Sequence, residues 1–70
     1  MPIFLAPLHE ELTITHVHGD TKTVKHLRDL GLTTGAKVEV FSKDKGALII
    51  FVYGSKLALS KEIAKAIVVS

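Results

Sequence analysis

HLRDLGLTTG, residues 26–35, reads as a helix that stops and a strand that is about to begin. Gly31 sits where a left-handed helix terminator belongs, and Thr33-Thr34-Gly35 has the composition of a turn. Upstream, Asp20, Thr21 or Thr23 can cap the helix, and Val24, Leu27 and Leu30 recur on one side of it. A helix this short is unstable alone, since isolated helices below about 12 residues are marginal in water. It must dock on something else, and the flanking sequence offers sheet.

Before the helix, Thr13, Thr15 and Val17 alternate with Ile14, His16 and His18, a strand from Leu12 to His18 that ends at Gly19-Asp20. After the junction, Ala36, Val38 and Val40 alternate with Lys37, Glu39 and Phe41 as in a half-buried strand. Asp44-Lys45-Gly46 reads as a hairpin turn. The next stretch, ALIIFVYG, is apolar on both faces, with Leu48, Ile50 and Val52 on one and Ile49, Phe51 and Tyr53 on the other. Gly54-Ser55 turns again, and Leu57 and Leu59 share a side of the strand that follows. Ser60 can cap a single helical turn, KEIAKA, ahead of a closing strand Ile67-Val68-Val69. At the other end, Pro2 and Pro7 bracket Ile3, Phe4 and Leu5, and the prolines argue for extended chain rather than helix there. The expectation is a mainly β domain over residues 1–70: a small five-stranded barrel with one short helix after the first strand and a short helical turn before the last.

Composition narrows the class. Of 70 residues, 47% are hydrophobic and 23% charged, which excludes a disordered tail. Without cysteine there is no disulfide framework, thiolate metal site or cysteine nucleophile. The apolar run from Ala47 to Tyr53 is far short of the roughly 20 residues of a membrane helix, and MPIFLAPLHEE lacks the basic flank of a secretory signal. A cytoplasmic location is expected. The net charge of +2 is mild and the lysines are scattered, so nucleic acid is not an expected partner.

The ordered combination of the RDLGLTTG junction, the apolar strand, a glycine, LAL and a terminal A-x-x-I-x-V resembles the FeoA family, ferrous iron transport protein A. The matching residues are Leu27, Leu30, Gly31, Leu32, Gly35, Val38 and Val40, then Gly54, Leu57, Ala58 and Leu59, then Ala64, Ile67 and Val69. The chain departs from the usual pattern at Ser60, where the family commonly has arginine, and at Ile63, where an acid is common. Both residues suit a capped turn against a core. The resemblance implies an SH3-like five-stranded barrel and a cytoplasmic accessory of the ferrous iron transporter FeoB, whose cytosolic part binds GTP. Such a protein would be peripheral to the membrane only through its partner. A similar domain follows the DNA-binding region of repressors of the diphtheria toxin repressor type. Nothing precedes it here, so no DNA-reading helix is expected.

Catalysis is not expected. The seven acids are spread along the chain, and neither a phosphate-binding G-x-x-x-x-G-K-[ST] loop nor a nucleophile elbow occurs. Any GTP hydrolysis would be the partner's. No cofactor is required. A weak divalent transition metal, iron or zinc, is conceivable at His16 and His18, which a strand projects to one side, with Asp20 or Glu11 completing the set. The favoured alternative is two solvated histidines on an edge strand, because structural zinc sites usually have four protein ligands.

One face of the apolar strand must look outward, and Ile49, Phe51 and Tyr53 are expected there. Either a partner or the N-terminal Ile3-Phe4-Leu5 segment would cover it. Asp29 lies in the last helical turn, where partial negative charge opposes a carboxylate. It is expected to accept hydrogen bonds from amides of the Thr33-Thr34-Gly35 turn, within a structural junction of Leu27, Asp29, Leu30, Gly31 and Gly35. Arg28, exposed beside it, is a contact candidate. The reading is therefore a protein-binding barrel that uses Arg28, Ile49, Phe51, Tyr53, Leu57 and Ser60. The rivals are a metal-sensing domain and a nucleic-acid-binding barrel that stacks bases on Phe51 or Tyr53. A weak homodimer through the apolar strand is also plausible.

Overall fold

A computed structural model describes all residues, Met1–Ser70. Its elements are a single 3₁₀ turn at Ile3–Leu5, β1 (Glu11–Val17), α1 (Thr21–Asp29), β2 (Lys37–Asp44), β3 (Ala47–Val52), β4 (Ser55–Ser60), α2 (Lys61–Ala64) and β5 (Ile67–Val69). The strands are antiparallel in the order β4-β3-β2-β1-β5 and curl around one core. This is the expected five-stranded, mainly β barrel of SH3 type, with the helices where they were anticipated.

The junction is built as its sequence indicates. Asp20 caps α1 by accepting a hydrogen bond from the Thr23 amide at 2.8 Å. That bond, then one from the Thr23 hydroxyl, holds the Asp20 carboxyl below its ordinary value. At the other end, the Leu32 N–H donates to Leu27 O (2.8 Å) and the Gly31 N–H to Arg28 O (2.9 Å). These are the two bonds of a Schellman motif, and Gly31 has the positive φ of 90° the motif needs. Leu27 and Leu32, its apolar pair, are both buried. The Thr33–Ala36 turn then closes on the Ala36 N–H to Thr33 O bond, with Gly35 at φ 94° in its third position.

The helix stripe differs from its periodicity at one residue. Leu27 is fully buried and Val24 half-buried, but Leu30 is the C-cap and is exposed, because the chain turns away there to insert Leu32 instead.

Two β-bulges reset which side chains face inward. Between Ile14 and His16 the β1–β5 register shifts by one, so Thr15 is the extra residue. Ile14 is buried, yet the next inward residue is Val17, while His16 and His18 face solvent. The simple alternation, with Ile14 sharing a side with both histidines, is corrected accordingly. The second bulge lies between Val40 and Ser42 in β2, where Phe41 is extra.

The N-terminal segment also departs from expectation. Ile3–Leu5 form a 3₁₀ turn, since a proline restricts only its predecessor, and Ala6 before Pro7 is indeed extended at ψ 147°. The segment closes the barrel instead of covering β3's outer face. Met1 exchanges 2.7 Å backbone bonds with Val69, Ile3 and Ala6 enter the core, and Leu8 bridges to Val40 beside the second bulge.

Candidate partner-binding face

β3 sorts its apolar residues as its pattern requires. Leu48, Ile50 and Val52 fill the core, while Ile49 and Phe51 are half-buried on the outer side and Tyr53 is 74% exposed. The register sets their neighbours. Glu11, Glu39, Phe51 and Lys56 form one row across β1, β2, β3 and β4, and Ile49 pairs with Ala58.

Phe41, the extra residue of the β2 bulge, also lies on this face. Its ring meets Phe51 edge-on with centroids 5.2 Å apart, and His9 edge-on at 5.5 Å. Lys56 Nζ lies 4.5 Å from the Phe41 centroid and 5.6 Å from that of Phe51, within cation–π range. Phe41 and His9 were not among the sequence candidates. Phe41 alternates outward with Glu39, which is a signal, but its edge-on approach to Phe51 depends on the β2–β3 register, which local sequence does not fix. His9, at φ 63°, owes its place to the bridge at Leu8.

Tyr53 stands apart. With Gly54 it forms the two-residue turn between β3 and β4, and both have positive φ, 51° and 76°, as in a type I′ hairpin. Asparagine, aspartate or glycine is the usual first residue of such a turn. A bulky side chain there costs roughly 1–2 kcal/mol. The tyrosine ring rests on the α1 stop: a Cβ on Gly31 would lie 2.9 Å from Tyr53 Cδ2. The absence of a side chain at Gly31 therefore serves two purposes, the left-handed backbone and room for this ring. Beyond Tyr53 lies a groove of about 370 Å³, bordered by Glu11, Lys37, Glu39, Phe51, Tyr53 and Gly54.

The other sequence candidates fall in different places. Leu57 pairs with Ile50 and packs against the core side, so it is not on the Phe51 face. Ser60 caps α2 by accepting the Ile63 amide at 3.2 Å. Arg28 is exposed on α1. Asp29 does not bond the Thr33-Thr34-Gly35 amides. Its Oδ2 accepts from Lys25 Nζ at 3.2 Å in solvent, while the Gly35 amide goes to Ile14 O. An exposed i,i+4 ion pair is the nearest offset available to a carboxylate at that end of the helix. His16 and His18 do come together, with ring centroids 4.3 Å apart. Neither Glu11 nor Asp20 joins them: no group of three or more histidine, cysteine or acidic side chains is placed to hold a metal. No helix is long and apolar enough to cross a membrane.

Fold and face together define a small SH3-like barrel with a half-exposed aromatic outer wall. The FeoA domain matches residues 1–70, and the chain belongs to that family of non-enzymatic accessory domains associated with ferrous iron transport. Among solved structures it is similar to an iron uptake regulatory protein, FeoA (24% identity, TM-score 0.89, covering 99% of this chain and 93% of that one). It is similar also to the FeoA of Stenotrophomonas maltophilia complexed with zinc (28%, TM-score 0.75, 91% and 82%). A manganese-dependent transcriptional repressor shares the fold at 15% identity (TM-score 0.90), where this chain's full length covers 35% of the larger protein. Among curated proteins no match is found.

Proposed function

We propose that this chain is a cytoplasmic accessory protein of ferrous iron uptake that docks on the cytosolic, GTP-binding part of a FeoB-type transporter through the outer face of β2 and β3. The observation that carries this reading is the aromatic wall of Phe41, Phe51 and Tyr53, over which the Ile3–Leu5 segment does not fold. A 70-residue barrel exposing such a wall is equipped for a protein partner. The S. maltophilia relative, described as a prokaryotic SH3 domain protein and put forward as a ferrous iron transport activating factor, supports the same assignment. Glu11 and Glu39 beside Phe51 oppose a phosphate backbone, which disfavours the nucleic-acid alternative.

The test is capture of the transporter's soluble cytosolic domain by wild type, Phe51→Glu and Tyr53→Ala, with and without ferrous ion, after circular dichroism has shown that the variants fold. Loss of capture by both variants is expected. Capture undiminished in both would remove the outer face from the interaction.

The His16–His18 approach favours a second reading, a weak divalent metal site at the end of β1. Imidazoles bind metal only when neutral, so occupancy would fall as the pH is lowered. Chelator-reversible shifts of these two ring resonances on adding zinc would support it. Unmoved rings at millimolar zinc would end it.

A further inference from the structure

Glu11 and Glu39 are directly opposed across β1 and β2. Side chains so placed have Cβ atoms about 4.5–5.5 Å apart, and like charges there are destabilising. Neither carboxylate is paired with a lysine or arginine: the one basic group within ion-pair distance of either is His9 Nδ1, 3.8 Å from Glu39 Oε2. The two neighbouring ammonium groups bond neither acid: Lys37 Nζ donates to Thr13 Oγ1 at 2.7 Å, and Lys56 Nζ lies over the Phe41 ring and 5.6 Å from the Phe51 centroid. Both acids border the groove, with Phe51, Tyr53 and Lys37 among its other lining residues. Tyr53 is held there in a left-handed turn that a smaller residue would adopt with less strain.

We propose that this groove receives an extended segment of the docking partner that presents an arginine or lysine, its cationic head at Glu11 and Glu39 and its stem along Phe51 and Tyr53. The proposal rests on the partner-docking reading above and specifies the chemistry of the segment. A long cationic side chain matches the two carboxylates and the two rings of the site. Its methylenes cover aromatic surface, its charge faces the ring quadrupoles, and its N–H groups relieve the opposed carboxylates by charge-assisted hydrogen bonds. Arginine suits the site better than lysine, because a planar guanidinium can stack on a ring while donating two bonds to a carboxylate. An acidic or phosphorylated segment would instead meet two like charges.

The probe is a blocked pentapeptide, Ala-Leu-Arg-Leu-Ala, titrated into the full ¹⁵N-labelled chain beside a copy in which neutral citrulline replaces arginine. The arginine peptide is expected to shift the amides of Glu11, Glu39, Tyr53 and Gly54. Citrulline in the peptide, or E11Q/E39Q in the protein, is expected to weaken binding about tenfold, as loss of a close charge pair at an interface does. Equal binding of the two peptides, or shifts confined to another face, would overturn the proposal. Capture of the transporter's cytosolic domain separates this idea from the docking reading. Loss of capture by E11Q/E39Q supports both. Capture kept by E11Q/E39Q but lost by Tyr53→Ala refutes the cationic segment while docking stands, and capture kept by all variants refutes both.

Discussion

Gly31→Ala tests how the junction and the hairpin turn are held together. Two separable effects follow from the structure. Gly31 has φ 90°, and an L-residue in the left-handed region costs about 1–2 kcal/mol. The new methyl would also lie 2.9 Å from Tyr53 Cδ2, closer than side chains approach, so the ring must swing outward. Tyr53 is 74% exposed; if its surface is of order 200 Å², the buried remainder is about 50 Å², worth roughly 1 kcal/mol at most. Gly31→Ala should therefore destabilise the wild type by about 2–3 kcal/mol, lowering Tm by roughly 10–20 °C for a domain of this size. In a Tyr53→Ala background the ring is gone and only the backbone effect remains, about 1–2 kcal/mol. Urea unfolding of the four proteins, followed by circular dichroism, yields the coupling as a double-mutant cycle. A cost below about 0.5 kcal/mol would refute the left-handed helix stop. Equal costs in the two backgrounds would refute the seating of Tyr53 on Gly31.

Asp29→Asn should change stability by less than about 0.5 kcal/mol, because its only partner is the exposed Lys25 in the less favourable order. A loss above roughly 1 kcal/mol in urea unfolding would mean that the carboxylate ties the junction after all. Ser60→Ala should cost about 1 kcal/mol by freeing the Ile63 amide, seen as early loss of amide protection at Ile63 in hydrogen exchange. Asp20 is more acidic folded than unfolded, so its cap stabilises fully above the unfolded carboxyl pKa of about 3.9 and is lost as pH falls through the lower folded value. Asp20→Asn should keep a cap but remove that part of the acid dependence, and an unchanged acid-unfolding midpoint would contradict the assignment.

Where the sequence was misleading, long-range contacts overrode local rules. Proline chemistry around Ile3 was sound for the residue preceding each proline, but the 3₁₀ turn between them forms because Ile3 and Ala6 find a core between α2 and β5. Asp29 violates the helix-dipole preference, and the sequence leads one to expect compensating bonds from the Thr33-Thr34-Gly35 amides. The offset is only a solvent-exposed lysine. Leu57 shares an inward side with Leu59, as the alternation indicates, and for that reason it was a poor contact candidate. Register would have excluded it.

Local order was written in the chain because it depends on nearby residues: a cap at Asp20, a glycine stop at Gly31, period-two strands and a second cap at Ser60 each act within a few positions. The inward set Leu48, Ile50 and Val52 followed from alternation alone, and so did Phe51's outward position. The make-up of the outer wall was decided only in three dimensions. One extra residue at Phe41, another at Thr15, the paired register of Glu11 with Glu39 and the fit of Tyr53 over Gly31 all arise between segments distant in sequence. A bulge shifts every later side chain to the opposite face, and whether one forms is decided by the strand alongside.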